Sequence, residues 1–157
     1  MSISLAQAIE LITLEADLLD YGEFKSWLDL YAEDGVYVIP IEHDATNYEG
    51  TLNYAYDNAE MRAKRVERLL GGRSISAAPP ARTIRLLSRY RMLSANDDMC
   101  ALRCAQLLTE NRHGRERSYA ANIEYTLVKK EGALKIQSKV IRLLCSTDAL
   151  TVVSYIL

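Results

Sequence analysis

The apolar residues change period partway along the chain, from three-and-four over the first 70 residues to two over the remainder. Helices gathered first and strands gathered last define an α+β architecture. Leu5, Ala8, Ile9, Ile12, Ala16 and Leu19 make one helical stripe, and Leu11, Leu14 and Leu18 a second beside it, an arc wide enough to need cover on more than one side. Ser4-Leu5-Ala6-Gln7 forms a capping box that starts this helix, and Gly22 supplies the left-handed residue that stops it. Phe24, Trp27, Leu28 and Tyr31 predict a second helix, Asp34-Gly35 a turn, and Val36-Tyr37-Val38-Ile39 a short strand closed by Pro40. Residues 41–56 are polar and tyrosine-rich with no clear period; Asp57-Asn58-Ala59-Glu60 then caps a third helix running to Leu70, ended by Gly71-Gly72.

Beyond a loop over 71–82 of the kind that serves as a lid or contact arm, the period is that of strands. Ile84, Leu86, Ser88, Tyr90 and Met92 share one face of the first, opposite Arg85, Leu87, Arg89 and Arg91, which predicts an apolar side and a basic side. Turns at 95–98, 111–115 and 130–132 separate three more strands, one of which carries Tyr119, Ala121, Ile123, Tyr125 and Leu127 on one face. In the last, Leu134, Ile136 and Val140 have one parity and Ile141, Leu143 and Cys145 the other, a switch near residue 140 that calls for a β-bulge or a second covered face. The apolar tail from Ala149 to Leu157 is expected to dock on the domain or on a partner. Strands of ten or more residues must twist and bend, so helices laid across one face of a curved antiparallel sheet should close a cone. At 157 residues, 49% of them apolar, one domain over 1–157 is expected.

Charge is strongly partitioned. Residues 1–60 hold 13 acids and the single base Lys25, a balance of −12, while residues 61–157 hold 18 bases and 8 acids, a balance of +10. The acids lie among helices and the bases among strands, which predicts compensation within the fold or across a protein interface. Arg62, Lys64, Arg65 and Arg68 crowd one helix, but a pI near 5.7 and the lack of a recognisable aromatic-interleaved motif argue against nucleic acid. No apolar run approaches the roughly 18 residues of a membrane span, and the N-terminal segment carries acids where a secretory signal carries bases, so a cytoplasmic location with no membrane partner is expected.

The donor inventory is poor in metal ligands. His43 and His113 are the only histidines, and Cys100, Cys104 and Cys145 make no even disulfide set. On a strand, Cys100 and Cys104 share a face but stand about 13 Å apart at ~3.3 Å per residue, too far for one ion or a disulfide, and read as buried apolar side chains. Both histidines fall in polar loops, where a solvated imidazole is expected. A cone can also enclose a pocket in which an Asp beside a Tyr removes a proton next to a carbonyl, with Asp34, Asp57, Tyr37, Tyr54, Tyr56, Tyr119 and Tyr125 as candidates. That alternative is a stand-alone isomerase, dehydratase or cyclase; a third reading is a binding module for an apolar ligand.

Glu15-Ala16-Asp17-Leu18-Leu19-Asp20, Trp27 through Asp34, Tyr37 and Pro40, Tyr56-Asp57-Asn58, Arg65 through Leu69, Pro79 through Thr83 and Tyr119 through Leu127 together resemble the small, beta subunit of aromatic-ring-hydroxylating dioxygenases. The sequence departs from that family at Ile84-Arg85 and Ser88-Arg89, where the family commonly has arginine-histidine and serine-asparagine. The resemblance implies a cystatin-like cone of the nuclear-transport-factor type and a trimer of alpha–beta pairs, an alpha3beta3 hexamer. It also implies that the Rieske iron–sulfur cluster and mononuclear iron sit on the alpha subunit, and that the beta chain is structural, with neither catalytic residues nor cofactor. Trp27, Arg82, Arg85 and Arg89 are the expected interface anchors, Arg and Trp being common in that role.

Overall fold

A computed structural model describes residues 1–71, 81–144 and 156–157, so most of the expected 71–82 loop and of the tail, together with Cys145, lie outside the described residues. The elements are α1 (Leu5–Asp20), α2 (Phe24–Leu28), β1 (Tyr31–Pro40), β2 (Asn53–Asp57), α3 (Ala59–Gly71), β3 (Arg82–Ala95), β4 (Met99–Arg112), β5 (Arg115–Lys130) and β6 (Ala133–Leu143). The six strands form one sheet in the order β2-β1-β6-β5-β4-β3.

α1 is delimited as its local chemistry dictates. Ser4 Oγ accepts from the Gln7 amide at 3.1 Å and Gln7 Oε1 accepts from the Ser4 amide at 2.8 Å, completing the capping box. At the other end Gly22, at φ +72°, lets the Glu23 amide reach the Leu18 carbonyl and the Gly22 amide that of Leu19, a Schellman closure. α3 is capped by Asn58, whose Oδ1 accepts from the Met61 amide at 3.0 Å, while the Asp57 carboxylate turns to Arg65 instead.

Several expectations are corrected. The second helix is one turn long, and Tyr31 already belongs to β1. Asp34-Gly35 does not turn the chain: it sits in a bulged stretch where the pairing with β6 passes from Tyr31–Ile136 to Val36–Ser138. β2, in the stretch read as aperiodic, is a five-residue edge strand against β1. The sheet is mixed rather than wholly antiparallel. α1 and α2 deliver the chain to the end where β6 begins, as the Ile136 amide bonded to the Leu30 carbonyl at 2.8 Å marks, and β1 then runs parallel to β6.

The faces of β3 are also reassigned. Arg85 points inward at 8% exposure, whereas Ile84 and Leu86 point outward at 64% and 61%. A bulge at Arg89 (φ +55°), where the register jumps between Ser88 and Arg91, reverses the parity, so Tyr90 and Met92 reach the core. In β6 both anticipated causes operate. The register skips Gln137, moving the inward parity from Ile136 to Lys139, Ile141 and Leu143, and Arg142 fixes the 43–48 segment over the opposite face through the His43 and Ala45 carbonyls and the Tyr48 hydroxyl.

The core fills the space between the helices and the inner face of the sheet. Trp27, Leu102, Leu108, Ile123, Leu127, Ile136 and Ile141 are fully buried there, and Ile156 and Leu157 join them at 1% and 2% exposure. The part of the expected tail docking that falls on described residues is therefore met inside the domain.

Candidate functional site

Inside the cone the apolar residues surround a polar knot centred on Glu15. Its spacing from Leu11, Ile12 and Leu19 puts this acid on the buried stripe of α1, and it is 1% exposed. Glu15 Oε2 accepts from Trp27 Nε1 at 2.9 Å and from the Tyr31 hydroxyl at 3.2 Å; Oε1 accepts from the Tyr125 hydroxyl at 2.7 Å and pairs with Lys139 Nζ at 2.9 Å. Burial, and then the Glu15 charge, hold the Tyr31 and Tyr125 phenols well above their ordinary range, and burial lowers Lys139. Lys139 also donates to the Leu157 backbone oxygen at 2.8 Å, the Leu157 amide donates to the Tyr37 hydroxyl at 2.8 Å, and Arg85 Nη2 donates to the Ile156 carbonyl. Every carboxylate oxygen of Glu15 is thus engaged twice, which ties α1, α2, β1, β5 and β6 together.

The Asp–Tyr pair proposed for proton abstraction is not assembled as a free acid–base couple. Asp34 is exposed, and Asp57, though buried beside Tyr37, places Oδ2 2.6 Å from Arg65 Nε. Tyr54 is 43% exposed on the edge strand, whereas Tyr37, Tyr119 and Tyr125 are buried. Glu15, the acid that does occupy the interior, was passed over among the leucines of its stripe; an ionisable residue on a buried helical face was the available signal. Four ion pairs, Glu15–Lys139, Asp20–Arg85, Asp57–Arg65 and Glu60–Lys64, join the acidic first part of the chain to the basic second part, so part of the charge partition is compensated within the fold.

Of the four residues expected to anchor an interface, two are engaged inside the chain. Trp27 is 0% exposed, bonded to Glu15 and packed edge-on against Tyr31 and Tyr37. Arg85 pairs with Asp20 and reaches the Ile156 carbonyl, its side chain 2% exposed. Neither offers surface to a partner. Arg82 and Arg89 are exposed. Arg89 donates to Asn122 Oδ1 across β3, β4 and β5, beside an outer face on which Ile84, Leu86 and Leu107 stand 64%, 61% and 42% exposed. Leu86 and Leu107 are register partners, and Ala120 is next to Leu107, so these apolar groups are contiguous.

Cys100 and Cys104 are both buried on β4 with their parity inward, and burial pushes the Cys104 thiol up to about 11. His43 lies near the Leu143 carbonyl at 3.4 Å, and His113 is exposed in the β4–β5 turn. Among the described residues no three His, Cys, Asp or Glu side chains converge, so this donor set does not fit an iron–sulfur cluster or a mononuclear iron. No helix among them is long and apolar enough to cross a membrane.

A six-stranded sheet wrapped around an N-terminal helix pair is the cystatin-like arrangement, and an NTF2-like protein of that fold from Novosphingobium aromaticivorans superposes with a TM-score of 0.61 at 19% identity, covering 93% of this chain and 83% of that one. Residues 14–148 match the model of the ring hydroxylating beta subunit family, and the chain belongs to it. It is 28% identical over 139 residues to the small oxygenase component of the p-cumate 2,3-dioxygenase system of Pseudomonas putida, covering 87% of this chain and 77% of the relative. The beta subunit of benzoate 1,2-dioxygenase from Burkholderia mallei has a TM-score of 0.82 at 26% identity, with 98% of each chain covered.

Proposed function

We propose that this chain, as a single domain over residues 1–157, is the scaffolding beta subunit of a cytoplasmic aromatic-ring dioxygenase. It assembles with an alpha subunit as alpha3beta3, the alpha chain carrying the Rieske cluster and the mononuclear iron. The observation that carries this reading is the contiguous apolar outer face of β3 and β4: Ile84, Leu86 and Leu107 are exposed where a lone chain gains nothing from exposing them. A second copy of the chain covers this face, and Arg82 and Arg89 at its margin fix orientation against carboxylates of a neighbour. The filled interior supports the same reading, because its acid is already fourfold bonded.

Co-expression with a dioxygenase alpha subunit from the same source, followed by native mass spectrometry and iron analysis, tests the proposal. The expected result is a hexamer with iron in the co-expressed sample and an iron-free beta chain when expressed alone. Turnover of a ketone substrate by the isolated chain, with no complex formed on co-expression, overturns it in favour of a stand-alone isomerase, dehydratase or cyclase.

A further inference from the structure

Arg91 and Arg103 are register partners on the outer face of β3 and β4, so two guanidinium groups stand directly opposite one another. Like charges in that position work against the sheet that carries them. Both are exposed, and among the described residues neither has an ion-pair partner. Glu124, the cross-strand neighbour of Arg103 on β5, already pairs with Arg142 at 3.2 Å. Arg89 adds a third guanidinium from a residue at φ +55°, its exposed side chain carried onto this face to donate to Asn122 Oδ1. Three arginines thus form a basic band beside the exposed Leu86 and Leu107.

A complementary surface lies on the same side of the sheet. Arg142 bonds to the His43 and Ala45 carbonyls and to the Tyr48 hydroxyl, which holds the 41–50 segment in one form over β6. Its Glu42, Asp44 and Glu49 are exposed, and among the described residues none of the three has an ion-pair partner. β6 is two strands from β4 and three from β3, about 10–14 Å at ~4.8 Å per strand, so the two patches stand apart within one chain. We propose that the basic band of one copy docks on the 41–50 segment of a second copy. The carboxylates of Glu42, Asp44 and Glu49 then answer Arg89, Arg91 and Arg103, and Leu86 and Leu107 are covered in the same contact. Because two different surfaces meet, the contact is heterologous and closes as a ring. The proposal rests on the alpha3beta3 reading, which requires a ring of three, and assigns the surfaces that form it.

Sedimentation equilibrium on the full chain, at low salt and at about 0.5 M sodium chloride, is run beside urea unfolding. The variants are Arg91→Glu with Arg103→Glu, Glu42→Lys with Asp44→Lys, all four changes in one chain, and Arg103→Gln alone. The unsubstituted chain should form a trimer that salt weakens. Each reversed pair should weaken association by about 30-fold or more, and the fourfold variant should recover it. Mixing the two reversed chains should recover it only in part, since a ring of three keeps one repulsive contact. Arg103→Gln relieves the opposed charges, so it should raise the urea midpoint while weakening association, a combination that a structural role does not produce. A monomeric unsubstituted chain, unchanged association in the reversed pairs or in Arg103→Gln, or no recovery in the fourfold variant overturns the proposal, and full recovery on mixing replaces the ring with a twofold contact. If the reversed chains self-associate normally but lose a co-expressed alpha subunit, the arginines belong to that contact and this docking falls. In each of these cases an iron-containing hexamer from the unsubstituted chains leaves the scaffold reading standing; its absence ends both.

Discussion

Glu15 and Lys139 stand 2.9 Å apart with 1% of each side chain exposed, so protein donors and acceptors must replace the water both ions have lost. Removing one partner of such a pair costs about 3–5 kcal/mol, because the other charge stays buried. Lys139→Met leaves Glu15 with three neutral donors and should fall at the lower end; Glu15→Leu leaves Lys139 with one acceptor, a Leu157 oxygen, and should fall at the upper end. Urea unfolding checks the order, and equal small losses for both would refute it. The phenols around the pair add a pH dependence. Burial raises Tyr31, Tyr37 and Tyr125 above the usual value near 10, so the folded chain keeps protons that the unfolded chain releases. Their contribution is complete below about pH 10 and declines above it. Lys139, lowered by burial, works in the opposite sense, since there the unfolded chain holds its proton to higher pH and stability rises as that proton is lost. Three groups against one leave a net fall, at about 1.4 kcal/mol per pH unit for each net proton. The urea midpoint should drop between pH 10 and 11, and Tyr125→Phe should make the drop shallower.

At the scale of elements, Gly35 shows why one strand was misread. A Cβ there would lie 2.8 Å from the Ile136 carbonyl oxygen and 2.9 Å from that of Ala32, both backbone atoms that cannot step aside, and the Gly35 carbonyl accepts from the buried Arg62. Asp-Gly reads locally as a turn, yet here the glycine is required by close approach of β1 to β6. Gly35→Ala is expected to cost about 1–3 kcal/mol as overpacking, read as a lowered melting temperature; an unchanged value would remove this account of the bulge. Features set by neighbours in sequence, such as the Ser4–Gln7 box and the Gly22 stop, were legible from residue types. The parity switches were not located so well. Nothing in the type of Arg89 announces a left-handed backbone, and the skip at Gln137 was visible only as an apolar face changing side three residues later. β2 escaped because a five-residue edge strand needs its partner before its pattern has meaning.

At the scale of the whole molecule, the order of periods was enough for the α+β class, and residues spread from Glu15 to Leu127 were enough for the family, as the match over 14–148 shows. The surface was harder to read, because Trp and Arg are favoured both as interface anchors and as ties within a core. Trp27 answers Glu15, and Arg85 answers Asp20, two partners that only the fold brings near. The apolar side chains of β3 go the other way: Ile84 and Leu86, read by their alternation as the apolar side of the strand, are the ones left outside. A test of their role should therefore separate association from folding. Leu86 is 61% exposed, so Leu86→Asp should change the stability of the lone chain by no more than about 0.5 kcal/mol. If Leu86 lies at the centre of a contact between copies, the same change removes at least 2 kcal/mol from association, roughly a 30-fold weakening. Sedimentation equilibrium beside urea unfolding reads the two quantities on one sample. Loss of association with folding intact places the interface on β3 and β4, and unchanged association moves it elsewhere on the sheet.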